Sequence, residues 1–195
     1  MHRDELWQVY AKNGEPIPGE GWRAALGNPE VTGSKAIVGA AIVLLYRKNK
    51  SGELEFLWQK RGDEVDRFPG YYDLSAGGHI NLGESVIQAT IREGYEEIGV
   101  KLQADELQYG FMQPLNENRF AWIFFVDWTN RKDEFSFNDK EVSEVKWVKY
   151  SEMGKFVKDF AKPPLVRDKA LYVMIGEWVR IHGLVKSRPR DDENI

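Results

Sequence analysis

A chain of 195 residues with a net charge of −4 and a pI near 5.5 can bury a core as one ordinary domain, but it lacks the positive charge for a broad nucleic-acid surface. The absence of cysteine excludes disulfides, thiolate-bound zinc and a cysteine nucleophile. With a charged N-terminus and no apolar run near the ~20 residues a spanning helix needs, the expected setting is the cytoplasm, with no membrane partner.

In chain order, Leu6 to Tyr10 followed by Lys12-Asn13-Gly14-Glu15 predicts a small N-terminal hairpin, because Asn-Gly favours the left-handed dihedrals of a tight turn. Pro16 to Ser34, rich in Gly and Pro, reads as irregular and leads into a buried Ile/Val strand at Ala36 to Tyr46. Turns at Lys50-Ser51-Gly52 and Phe68-Pro69-Gly70 set off strands at Leu54 to Lys60 and Tyr72 to Ala76. From Gly83 to Val100 the apolar period becomes helical, and Leu107 to Met112, Phe120 to Trp128 and Val145 to Val148 read as further strands. Ser151-Glu152 opens a short helix that Pro163-Pro164 ends, Leu165 to Ile181 reads as one longer helix, and Lys186 to Ile195 reads as a disordered tail. The expected organisation is a hairpin and lead-in over 1–34, a domain over 35–185 and a tail over 186–195.

The informative stretch is Gly78-His-Ile-Asn-Leu-Gly-Glu84, followed after seven residues by Arg92-Glu93-Gly94-Tyr95-Glu96-Glu97-Ile98-Gly99-Val100. Placed about 100° apart on a helical wheel, Ile87, Ile91, Gly94, Tyr95 and Ile98 form one face, predicted to dock. Glu93, Glu96 and Glu97 form the opposite face, predicted to be presented outward. Glu93 and Glu97 repel each other at a separation of one turn, and a hard divalent cation with oxygen ligands would relieve this. An acidic stripe alone is usually a solvated face. Here the stripe comes with glycines, Glu84 and Arg92 at fixed spacing, a coincidence expected on the order of once per million chains of this length.

This stretch resembles the Nudix box, whose fixed charged and glycine positions are all matched. One position departs: Gly94 stands where the family usually has a buried apolar side chain. The resemblance implies an α/β fold, an α/β/α sandwich with a mixed β-sheet, an N-terminal β-hairpin and a C-terminal helix. It further implies Mg²⁺-dependent hydrolysis of a diphosphate bond in a nucleotide-like or other small diphosphate, with Mn²⁺ able to substitute. Glu93, Glu96 and Glu97 would be metal ligands, one of these or a residue outside the box would be the general base, and Gly78 would offer its carbonyl. Glu84 would face the cation through water or pair with Arg92, and Arg92 would fix loop and helix geometry.

Outside the box, Asp127 is the first choice for a further acidic ligand, with Glu117 and Glu141 as alternatives. Lys60 and Arg61, at the end of a core strand, are candidates to hold the diphosphate. Phe68, Tyr71 and Tyr72 are candidates to stack on a base, against the plainer reading of packing beside Pro-Gly. The run from Trp58-Gln59-Lys60-Arg61 through Ser75-Ala76-Gly77-Gly78-His79 is similar to the subgroup related to isopentenyl diphosphate isomerase. That enzyme needs a cysteine where Gly77 stands, which argues against isomerase activity, and His79 reads as a hydrogen-bonded loop residue. The expected partner is a small diphosphate, without extended nucleic acid; the oligomeric state is open, a homodimer included. The alternatives are a catalytically inactive sensor or scaffold on the same fold and an enzyme of RNA ends, which the acidic pI disfavours.

Overall fold

A computed structural model of the protein describes residues 5–23, 35–138 and 140–185. The lead-in at 24–34 and the tail at 186–195 lie outside the described residues. The chain forms β1 (Leu6–Tyr10), β2 (Pro16–Arg23), β3 (Ile37–Lys48), β4 (Leu54–Arg61), β5 (Tyr72–Leu74), β6 (Ala76–His79), α1 (Val86–Ile98), β7 (Gln108–Asn116), β8 (Arg119–Asp127), β9 (Val142–Lys149), α2 (Met153–Phe160), α3 (Pro163–Arg167) and α4 (Lys169–Ile181). None of the described helices is long and apolar enough to cross a membrane.

The Ile/Val/Leu run of β3 is buried on both faces and organises the mixed sheet. Along one edge it pairs in parallel with β8 over nearly its whole length. Its other edge is shared in succession by β1, β6 and β4, all antiparallel. Between β6 and β4 the sheet splits, and Ser75 bridges the gap: its hydroxyl accepts from Leu45 N at 3.0 Å and donates to Leu57 O at 2.6 Å.

Alternation along β3 sends Leu44 and Tyr46 to a core shared with Phe156, Ile175 and Trp178 of α2 and α4. Val43 and Leu45 go to a second core with Ile98 of α1 and Leu57. Helices on both faces of a mixed sheet give the expected α/β/α sandwich.

Several elements depart from the sequence reading. Pro16–Arg23 is a strand rather than irregular, because Asn13-Gly14 closes a hairpin in which Trp7 pairs with Trp22 and Tyr10 with Pro16. Gly14 takes a φ of 84° there. Gly77 and Gly78 lie within β6, opposite Ile42 and Ala41, a strand that the sequence reading did not extend beyond Ala76. A β-carbon on Gly77 would meet Ala41 O at 2.8 Å, so the strand approaches β3 too closely for a cysteine side chain. The predicted Leu165 to Ile181 helix is broken at Asp168, whose Oδ1 accepts from Leu171 N at 3.0 Å and so caps α4. Pro163-Pro164 opens α3 rather than closing α2.

Candidate active site

α1 begins at a capping box, with Ser85 Oγ accepting from Gln88 N and Gln88 Oε1 accepting from Ser85 N, and it ends at Gly99 with φ 72°. Its orientation is the main correction to the sequence reading. The buried residues are Ala89, Thr90, Glu93, Gly94, Glu97 and Ile98, whereas Ile87 and Tyr95 are exposed. The docked face is therefore turned by about a quarter of the helical wheel from the apolar face. Glu93 and Glu97 point inward, at 9% and 4% exposure, and only Glu96 faces solvent. A β-carbon on Gly94 would meet Leu102 at 3.1 Å and Val100 at 3.3 Å, so the missing side chain leaves room for these two residues just past the helix end.

Burial of the two carboxylates is tolerated because specific donors meet them. Glu97 Oε2 accepts from Gln59 Nε2 at 3.0 Å and from Gly77 N at 2.7 Å. A β-carbon on Gly78 would overlap the Glu93 carboxylate, so the missing side chain lets that group lie against β6. Burial raises the Glu97 carboxyl well above the usual carboxylate range, and the charges of Glu93, Asp73 and Glu141 add to this against the Gly77 N–H. Burial likewise pushes Glu93 up to about 7, opposed by Arg92 and reinforced by Glu96 and Glu141.

Arg92 ties the loop to the helix. Its Nη1 donates to Glu93 Oε1 and Glu96 Oε2, each at 2.8 Å, its Nε and Nη2 donate to Glu84 at 2.9 and 3.0 Å, and Nη2 also reaches His79 O at 2.9 Å. Burial alone would make the guanidinium easier to deprotonate, but its three carboxylate partners outweigh that and hold it charged. Glu84 also accepts from Asn81 N at 3.0 Å.

The 80–83 loop is held from its far side by the N-terminal hairpin. Gln8 N donates to Ile80 O at 2.8 Å, Leu82 N to Leu6 O at 2.7 Å and Gly83 N to Gln8 Oε1 at 3.2 Å. The Trp7 ring stacks on His79 with centroids 3.6 Å apart. His79 is thus a packed strand residue; burial holds its imidazole neutral, with a pKa of about 3, and its Nε2 makes no hydrogen bond.

The other candidates are dispersed. Asp127 lies opposite Tyr46 in the ladder and Gly77 opposite Ile42, four residues away, or about 13 Å along the strand at about 3.3 Å per residue. Its Oδ1 accepts from Thr129 N at 2.8 Å. Glu117 is exposed in the turn between β7 and β8. Glu141 is the outside carboxylate whose charge acts on both Glu93 and Glu97.

Lys60 and Arg61 flank a register shift in the ladder with β9 and turn to different carboxylates. Lys60 lies 4.0 Å from Glu144, and Arg61 lies 3.7 Å from Asp73. Tyr72 is buried against Phe156, while Phe68 and Tyr71 pack edge-to-face on each other, so the three rings form no common platform. Gln59, Asp73 and Trp7 carry no local sequence signal of a place at the site; only their tertiary neighbours mark them.

The donor chemistry fits a hard cation. Glu93 and Glu97 are buried acidic neighbours, the latter with no cation of its own among its hydrogen-bond partners, and the Gly78 main chain runs against Glu93. Among the described residues, no three acidic or imidazole side chains are gathered into a ready cage, because Glu96 is turned to Arg92.

The profile of the NUDIX domain matches residues 36–168, leaving the N-terminal hairpin outside it. The chain is 30% identical over 147 residues to Nudix hydrolase 3 of Arabidopsis thaliana, an alignment covering 69% of this chain but 18% of that protein. It is 27% identical over 146 residues to the uncharacterized Nudix hydrolase lmo0368 of Listeria monocytogenes, covering 71% of this chain and 85% of the relative. The NUDIX domain of NrtR from Shewanella oneidensis, solved with ADP ribose, superposes with a TM-score of 0.56 at 18% identity over 78% of this chain and 94% of that one, a likeness of fold. With the NUDIX domain matching most of its length, the chain belongs to the Nudix hydrolase family.

Proposed function

We propose that the protein hydrolyses the diphosphate bond of a small nucleotide-like substrate, in a reaction that depends on Mg²⁺ or Mn²⁺. The observation that carries this reading is the buried Glu93–Glu97 pair, two carboxylates at positions where burial raises the pKa of both. A structural role would be served better by neutral side chains. The pair makes sense where charge must be met by charge.

Glu93, Glu97 and the Gly78 carbonyl would hold the cation, with Glu96 joining them on release from Arg92. The bound cation would neutralise diphosphate charge and make a water more acidic. The chain's own residues supply the rest. Gln59 and the Gly77 N–H orient Glu97, and the Arg92 bonds to Glu84 and His79 O fix the helix against its loop. One of the box glutamates, or a carboxylate outside the box, takes the proton of the attacking water. The new bond joins water oxygen to phosphorus, the bridging P–O bond breaks, and the leaving phosphoryl oxygen carries away the electron pair.

The test is Mg²⁺-dependent turnover of nucleoside diphosphates, triphosphates, sugar nucleotides and prenyl diphosphates by the wild type and Glu97→Gln. Turnover of at least one compound, lost in the variant, is expected. Turnover that persists in Glu97→Gln, or none across the panel, would overturn the reading.

A further inference from the structure

We infer that Gln8, on a hairpin outside the matched domain, is a positioning residue of the active site: it fixes the 80–83 loop and thereby sets how tightly the site takes a divalent cation. This rests on the hydrolase reading above and adds to it a residue from another part of the chain. Gln8 sits in β1 at 4% exposure, between the buried Trp7 and Val9. An apolar side chain would suit that place in a plain hairpin. A buried carboxamide is tolerated where its donors and its acceptor all find partners.

Those partners lie on two different elements. The ladder between β1 and β2 slips between Gln8 and Tyr10, so the longer stretch from Pro16 to Gly21 faces only these few residues of β1. Gln8 Nε2 fills the irregularity, donating to Val9 O at 2.9 Å and Ile17 O at 3.0 Å, with Glu20 O at 3.4 Å. Its Oε1 turns to the box loop and accepts from Gly83 N at 3.2 Å, while its main-chain N donates to Ile80 O at 2.8 Å. Between these two points Trp7 pairs with Asn81 in an antiparallel bridge, and Leu82 N donates to Leu6 O at 2.7 Å. The loop therefore runs along β1 as an added strand, and Gln8 grips it at both ends.

The grip reaches the acidic residues through the turn it closes. Asn81 N donates to Glu84 Oε2 at 3.0 Å, and Glu84 N donates to Asn81 O at 2.9 Å. Glu84 accepts from Arg92 at 2.9 and 3.0 Å, and Arg92 donates to Glu93 and Glu96 at 2.8 Å each. Every step from Gln8 to Glu93 is a hydrogen bond or a peptide bond. A loop fixed in advance need not be ordered by the cation, so loosening it should weaken cation binding rather than the chemical step.

The experiment measures binding of Mg²⁺ alone by calorimetry, and turnover against Mg²⁺ concentration, for the wild type, Gln8→Met and Gly19→Ala. Methionine keeps the length of the side chain and none of its hydrogen bonds. Replacing Gly19, which has a φ of 74° and open space around it, strains β2 and leaves the Gly83 bond in place. Gln8→Met should weaken Mg²⁺ binding by about fivefold, the worth of one neutral hydrogen bond, with turnover at saturating Mg²⁺ close to that of the wild type. Gly19→Ala should lower the melting temperature and bind Mg²⁺ as the wild type does. In the metal-free wild type the Gly83 amide should already be protected from hydrogen exchange, a readout that stands even where Gln8→Met fails to fold. Equal Mg²⁺ affinity in the wild type and Gln8→Met, equal losses in Gln8→Met and Gly19→Ala, or a Gly83 amide that exchanges freely would overturn the inference. A wild type that neither binds Mg²⁺ nor turns over any diphosphate would sink the hydrolase reading and this inference with it, and shows before any substitution is made.

Discussion

Glu93→Gln changes one atom type at the most informative position in the molecule. The carboxyl is raised from its ordinary 4.5 to about 7, chiefly by burial. At about 1.4 kcal/mol per tenfold change, this gap is worth about 3 kcal/mol. The sign follows from proton binding. Between pH 4.5 and 7 the folded protein retains a proton that the unfolded chain has released, so stability falls as pH rises through this window. Above 7 the whole penalty is present; below 4.5 none of it is. Glu97, raised for the same reason, acts in the same direction.

Glutamine keeps an acceptor for Arg92 Nη1, and the attraction of Arg92 for the ionised carboxyl is already contained in the net shift. The expected gain is about 3 kcal/mol at pH 8 without divalent ions, which is about 6–12 °C in Tm for a chain of this size. At pH 4 the gain should vanish. Thermal unfolding of both proteins in EDTA at pH 4, 6 and 8, repeated at pH 8 with Mg²⁺, measures each term. Mg²⁺ should stabilise the wild type and do little for the variant, which should also lose turnover. A variant that melts below the wild type at pH 8 in EDTA would refute the claim that the buried charge opposes folding.

Gly78→Ala places a methyl group where the Glu93 carboxylate lies; because that carboxylate ends a flexible side chain, it should swing away with the fold intact. The expected result is at least about a hundredfold loss of turnover with a stability change under about 1 kcal/mol, read by kinetics alongside urea unfolding. Trp7 is 1% exposed and stacks on His79 beside the loop that holds Glu84, so Trp7→Leu should destabilise by about 2–4 kcal/mol and raise the Mg²⁺ concentration for half-maximal activity. Trp7→Phe, which retains a ring for stacking, should restore most of the Mg²⁺ response; an Mg²⁺ titration of the three proteins decides the point.

Most strands and the α1 helix were legible because their signals are local. The Ile/Val run of β3, the Asn13-Gly14 turn and the helical period after Gly83 each reflect the preferences of neighbouring residues. The Gly77-Gly78 strand was not legible, since glycine in a strand is explained only by how closely the next strand approaches. The Asp168 break hid inside an apolar pattern that continues across it.

The spacing of Gly78, Glu84, Arg92, Glu93, Glu96 and Glu97 determined by itself that the chain carries a Nudix box, because chemistry that needs several oxygens and a clamping cation around one point leaves a rigid signature along the chain. Which way the box faces was decided only by the fold. A helical wheel ranks faces by hydrophobicity, and it sent the glutamates to solvent. The tertiary structure supplies donors at Gln59 and Gly77 and an uncrowded Gly78 main chain, and these bring Glu93 and Glu97 inward, where two close carboxylates have little water to screen them.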